Sequence, residues 1–260
     1  QLYYVGDTAD PQRGKFYGDV SARLTEISTL LLFFELELNR IDDAALQQKM
    51  QVPALAHYAP WIDNLRMEKP YQLDDKLEEL FLEKSQTSSA AFNRLFDETM
   101  AGLRFEVNGE TLPLEPTLNL MQSPDEAQRK AGAEALAKTF GQNIKLFTLI
   151  TNTLAKDKDI ADRWRGFKDI ADARHLSNRV EPEVVAALVE AVRKAYPQLS
   201  HRYYRMKAKW LGKDKLMHWD RNAPLPAEDT REVPWGEAKD MVLSAYGAFA
   251  PEMADIARNF

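Results

Sequence analysis

Apolar residues recur at spacings of three and four along most of this chain, and glycine is sparse. From Ser21 onward, Leu24, Ile27, Leu31, Phe34, Leu38 and Ile41 mark one face of a helix. That helix is expected to end near Ile41, where Asp42 and Asp43 cap a short helix through Met50. Pro53, Pro60 and Pro70 then divide the chain into short pieces. Asp74 and Asp75 start another helix, bent or interrupted at the polar stretch 85–89, with Leu77, Leu80, Phe81, Phe92, Leu95, Phe96 and Met100 inward.

One segment breaks the helical pattern. Alternating apolar residues on either side of Asn108-Gly109 predict a hairpin, because that pair supplies the positive φ angles of a type I′ turn. Pro113 makes its second strand an edge. Ser123 is expected to cap the next helix, with Pro124 at its first position and Glu126 completing a capping box. This helix should run toward Leu154, with Gly132 and Gly141 admitting a close neighbour and Ala127, Ala131, Leu136, Phe140, Ile144, Phe147 and Ile150 inward. A linker helix at 160–164 and a short segment at 168–176 follow. A long helix from Glu181 carries the stripe Val185, Leu188, Val192, Leu199, Tyr203, Met206 and Trp210, kinked at Pro197 and ended by Gly212. Residues 216–234 hold Pro224, Pro226 and Pro234 and read as extended or loop; a last helix runs from Pro234 to the end. The fold class is therefore mainly α, long packed helices with one small β-hairpin near residues 103–114, arranged as a single helical region over 1–260.

Composition narrows the function. The absence of cysteine excludes a disulfide scaffold and thiolate zinc sites. The longest apolar run, Leu30 to Phe34, is far too short to span a membrane. A net charge of −6 argues against nucleic acid or anionic lipid as a partner. The N-terminus shows no basic region followed by an apolar stretch, and the cytoplasm is the default location. The four histidines, His57, His175, His201 and His218, never stand four apart and none precedes a Glu, so H-E-x-x-H is absent. Phosphate-loop, dinucleotide and G-x-S-x-G signatures are absent too. The carboxylate pairs Asp42/Asp43, Asp74/Asp75 and Glu78/Glu79 read as helix-start charges rather than as acid/base groups. Asp157 and Asp159 resemble half a calcium loop but lack the Gly and terminal Glu. Residues 202–215 hold six basic residues among Tyr203, Tyr204 and Trp210. Two readings follow for them: a self-contained binding module for nucleic acid or protein, or an amphipathic helix burying Tyr203, Met206 and Trp210.

Several ordered motifs carry a resemblance. Arg104-Phe-Glu-Val-Asn-Gly-Glu110 is followed by Ser123-Pro-Asp-Glu-Ala-Gln-Arg-Lys-Ala, then Phe140-Gly-Gln-Asn-Ile and Leu154-Ala-Lys-Asp-Lys. Arg165-Gly-Phe and His175-Leu-Ser-Asn-Arg-Val come next. Last, Arg202-Tyr-Tyr-Arg-Met-Lys-Ala-Lys-Trp-Leu-Gly precedes Leu216-Met-His-Trp-Asp-Arg-Asn-Ala-Pro-Leu225. In their order and spacing these resemble the oligoendopeptidase F branch of the thimet-oligopeptidase-like zinc metallopeptidases. The resemblance implies an oligopeptidase-type helical lobe, two lobes around a cleft that admits short peptides, and one zinc held by H-E-x-x-H and a later Glu. In the family those ligands lie C-terminal to the matched region, so no catalytic or metal residue is expected in this chain. With Gln1 first and Phe260 inside an expected helix, the chain reads as the N-terminal portion of a larger enzyme, inert without its C-terminal catalytic part. Trp219, Asp220 and Arg221 are the substrate-cleft candidates; Asp220 is expected either to cap the following turn or to orient Arg221 or a cleft group.

Overall fold

The structure, a computed structural model, describes residues 1–225 and 231–259. They group into two units, Gln1–Ala223 and Pro224–Phe260. In the first unit, Tyr4 of α1 (Leu2–Val5) is buried and stacks on Tyr17 of α2 (Pro11–Arg40), with ring centroids 4.6 Å apart. Helix α2 starts well before Ser21. Asp10 accepts from the N–H groups of Gln12 and Arg13 at 2.7 and 3.4 Å, and Pro11 occupies the first turn. Gly14 and Gly18 do not break it. A Cβ on either would lie 3.0 or 2.9 Å from the Arg94 guanidinium, so their bare backbone lets that side chain lie against the helix. The apolar stripe Leu24, Ile27, Leu31 and Phe34 is solvent-exposed, and the buried residues of α2 are Gly14, Leu36 and Asn39.

The end of α2 is held by Arg66. Its guanidinium donates to the carbonyls of Leu38, Asn39 and Ile41 at 3.0, 2.8 and 2.6 Å and pairs with Asp43. Those carbonyls are among the acceptors a helix C-terminus leaves without partners. The next elements follow expectation. Asp42 caps α3 (Asp43–Lys49), prolines open α4 (Pro53–Ala56) and α5 (Ala59–Glu68), which carries Arg66, and Asp74 caps α6 (Asp75–Lys84). A 3-10 turn at Ser85–Thr87 bends the chain into α7 (Ser89–Gly102). Of the residues expected inward here, Leu80, Leu95 and Phe96 are exposed.

The hairpin forms as the Asn-Gly pair requires. Strands β1 (Phe105–Val107) and β2 (Glu110–Leu112) pair antiparallel, Phe105 opposite Leu112, with Asn108 and Gly109 at φ 52° and 87°. It is no surface ornament. Phe105 is fully buried, in a cluster with Leu103, Val107 and Ala135 and edge-on to Phe140 at 5.6 Å. Burying such a side chain stabilises by about 1.5–3 kcal/mol.

Around that core the helix boundaries differ from expectation. Helix α8 (Leu114–Leu120) stands between the hairpin and Ser123, where the sequence reading placed no element. Pro116 lies in its first turn, where no intrahelical donor is lost. Asp125, not Ser123, caps α9 (Glu126–Gln142): it accepts from Ala127 N–H at 2.9 Å, while Ser123 Oγ accepts from Asp125 N–H at 3.1 Å. The helix stops at Asn143 instead of running on, and Ile144 at the start of α10 (Ile144–Arg165) is exposed. Helix α10 absorbs the expected linker helix and ends at Gly166, φ 82°. Helix α11 (Asp172–Asn178) leads to α12 (Pro182–Ala195) and α13 (Ser200–Trp210). Pro197 separates these last two rather than kinking one helix: it has no N–H to continue the ladder, and the backbone leaves the helical region at Leu199, φ −104° and ψ −81°. On α13 the buried residues are Lys207 and Ala208; Tyr203, Met206 and Trp210 are exposed, against the amphipathic reading of that stripe.

The second unit holds α14 (Trp235–Phe249) and α15 (Pro251–Ala257), where one helix was expected; extended Ala250 and Pro251 divide it. Ala254 is buried, and a Cβ on Gly247 would meet its Cβ at 3.7 Å. Pro226 and Phe260 lie outside the described residues. Among the described residues no helix is long and apolar enough to cross a membrane.

Candidate functional site

Two of the three predicted residues, Trp219 and Asp220, lie in a 3-10 turn, His218–Asp220, with Arg221 directly after it; the turn follows α13 and packs against α9. Asp220 is fully buried. Its Oδ1 accepts from Arg129 Nη2 at 2.8 Å, and its Oδ2 accepts from Lys213 Nζ at 2.7 Å and Met217 N–H at 2.9 Å. Burial opposes the charged form, but these bonds outweigh it and hold the carboxyl below the usual carboxylate range. Arg129 is almost as buried and also donates to the carbonyls of Ser123 and Pro124 at 2.8 and 2.9 Å. Asp220 therefore caps its own turn and bolts that turn to the start of α9.

Trp219 and Arg221 leave the turn in different company. Trp219 Nε1 donates to Glu126 at 3.4 Å, and Lys130 Nζ lies 5.8 Å from its ring centre. Glu126 also pairs with Lys213, so a carboxylate expected to close a capping box serves this network instead. The Arg221 carbonyl accepts from the buried Lys207 Nζ at 2.8 Å. The Arg221 side chain lines a separate cavity of about 630 Å³ between α13 and residues 214–221. His201, Tyr204, Arg205 and Ala208 of α13 line it too; their spacing places them on one helix face. The sequence reading singled out Arg221 but missed Arg205, Lys213 and Arg129. The signal for Arg205 was that spacing; for Arg129, distant in sequence, there was none.

A second polar link joins α6 to the end of α10. Arg165 donates to both carboxylate oxygens of Glu78, at 2.7 and 2.8 Å, and Leu73 N–H donates to Glu78 at 2.9 Å. Burial again opposes ionisation, and the Arg165 and Leu73 hydrogen bonds carry the Glu78 carboxyl below its usual range. No metal chemistry fits these groups. Among the described residues no three of His, Cys, Asp and Glu stand together as metal ligands.

The arrangement is a mainly helical scaffold with buried ionic pins. Residues 37–105 match the family model described as Oligopeptidase F, and residues 119–233 match Peptidase family M3. Oligopeptidase PepF of Bacillus subtilis is 26% identical over 90% of this chain and 36% of its own length. Group B oligopeptidase PepB of Streptococcus agalactiae is 26% identical over 86% of this chain and 38% of its own. In fold, the chain is similar to the crystal structure of oligoendopeptidase-F from Enterococcus faecium, with a TM-score of 0.76 at 24% identity over 99% of this chain and 50% of that one. The chain belongs to the M3 peptidases, in their oligopeptidase F branch. It spans between about a third and a half of the length of these relatives.

Proposed function

We propose that these 260 residues are the N-terminal helical portion of a two-lobed, zinc-dependent oligoendopeptidase that hydrolyses short peptides. On this reading they form part of the substrate-cleft wall and are inert without a region carrying H-E-x-x-H. Trp219, Asp220 and Arg221 belong to that wall, and the protein works in the cytoplasm. The residues present do not fit a zinc ion, so no catalytic step is assigned to them.

The observation that carries the reading is the pair of family models, met in order along a chain that spans 36% of one relative and 38% of another. Surface area supports it independently. The chain exposes 19137 Å². A compact monomer of 29.7 kDa exposes about 11,600 Å², and two separate compact bodies of the two units' lengths about 13,000 Å². The excess of about 6,000 Å² is more than one protomer contributes to an obligate dimer interface. It suits a partner of domain size in the same fold. The nucleic-acid reading of residues 202–215 is weaker, since Lys207 is buried on the Arg221 carbonyl and Lys213 is committed to Asp220 and Glu126.

The 260-residue chain is expected to hold no stoichiometric zinc and to leave a quenched-fluorescent peptide intact, while a longer natural polypeptide carrying H-E-x-x-H cleaves it. Tight 1:1 zinc with hydrolysis by the 260 residues alone defeats the proposal. Cell fractionation checks the location.

A further inference from the structure

The cavity between α13 and residues 214–221 gathers positive charge in an acidic protein. Arg205, Lys215 and Arg221 line it against a single carboxylate, Asp214. Among the described residues, none of these three cations has a carboxylate within ion-pair range, although Lys213 and Arg129 nearby are both paired. An unpaired cluster of this kind is repulsive, and an anion relieves it. Two supports fix the cluster's geometry. Arg205 projects from a regular helix. Arg221 follows the buried Asp220, and its own carbonyl is held by Lys207 at 2.8 Å. The backbone under Arg205 and Arg221 is thus placed before any ligand arrives, while the exposed side chains of all three cations are free to close on it.

The rest of the lining says what kind of anion fits. Tyr204, Ala208, Leu216 and Met217 supply an apolar wall beside the cations. Bare phosphate would leave that wall unused. A polynucleotide needs a charged track longer than one open pocket of about 630 Å³. A carboxylate next to an apolar side chain uses both. We propose that this cavity binds the C-terminal carboxylate of a peptide, with Arg205, Lys215 and Arg221 on the carboxylate and the Tyr204–Met217 wall on the terminal side chain. The choice of a peptide as the carrier of the carboxylate rests on the oligoendopeptidase reading; the anion site itself does not.

The test uses the full-length protein in EDTA, so that no peptide is cleaved, and follows binding by calorimetry. The probes are N-acetyl-dileucine and its C-terminal amide. The free acid is expected to bind about tenfold or more tightly than the amide, the difference that charge-assisted hydrogen bonds supply. The Arg205→Gln/Arg221→Gln variant should bind acid and amide alike, with an unchanged circular dichroism spectrum. Equal binding of acid and amide by the unaltered protein overturns the site. So does tighter binding of inorganic phosphate, or of a short single-stranded oligonucleotide, than of the acid peptide. With metal restored, the double variant should raise KM for free-acid peptides about tenfold more than KM for the matching amidated peptides. If the unaltered protein cleaves nothing, the oligoendopeptidase reading fails while the binding result stands. If it cleaves but does not distinguish acid from amide, the carboxylate site fails alone.

Discussion

Asp220 shows how much a single residue carries here. Its charge is out of water, so its three donors must balance it. Removing it leaves Arg129 buried without its counter-charge. Asp220→Ala is expected to destabilise the fold by about 3–5 kcal/mol. Glu126→Gln, on the exposed side of the same network, should change stability far less. Urea unfolding of both variants checks the contrast, and two similar losses would refute it. Glu78 makes the matching case for pH. Its folded pKa is depressed. Its contribution is therefore present above the unfolded value and lost as pH falls through the folded one. Glu78→Gln should lower the melting temperature at pH 7 and lower it progressively less in acid, as the pH falls through the depressed folded value. An equal loss at pH 7 and in acid would show that the pair's charge contributes nothing. The local half of these roles was only partly legible: a cap by Asp220 was expected on the following turn, whereas its carboxylate accepts from Met217 N–H three residues back. The distant half was not, because Arg129 lies on another helix and no spacing rule reaches it.

At the scale of elements, the readable features were those set by neighbours in sequence. Asn108-Gly109 fixed a turn, Asp42 and Asp74 fixed helix starts, and Gly166 and Gly212 took the positive φ that ends a helix. Boundaries failed where two local signals competed. Ser123 and Asp125 both suit a cap, and Asp125 won because Ser123 turned to its own backbone. Burial failed for a different reason. Hydrophobic periodicity identifies a face but not what covers it, and the apolar face of α2 is open while its glycines are packed. Glycine roles likewise depend on neighbours. Gly132 sits where a Cβ would be 3.0 Å from Leu120 Cβ and 3.3 Å from the Thr117 carbonyl, whereas Gly141 has nothing within 4 Å. Gly132→Ala should therefore force α8 and α9 apart at a loss of about 1–3 kcal/mol. Gly141→Ala should stabilise by about 0.5–1 kcal/mol through helix propensity. Thermal unfolding that moved both in the same direction would contradict the close approach of α8 to α9.

At the scale of the molecule, the exposed apolar faces become the main fact. On α12, Val184, Leu188, Val189 and Val192 are all open to solvent, Leu188 at 63%. The sequence showed Leu188 and Val192 as one stripe with Val185, but periodicity describes a helix that has somewhere to bury its apolar side. It does not say whether the cover lies within these 260 residues. Surface substitutions away from special features change stability by about 0.5 kcal/mol or less. A charge forced into a packed interface is far more damaging. Leu188→Lys therefore separates the two situations. In the 260-residue chain the substitution should leave the unfolding midpoint within error and reduce self-association, measured by light scattering. In the full-length protein it should lower stability by about 2–3 kcal/mol, the contribution of a buried leucine, and lower peptidase activity with it. An equal and small effect in both would mean that α12 stays open to water in the working enzyme. The excess surface would then have to be covered through α2 or the second unit instead.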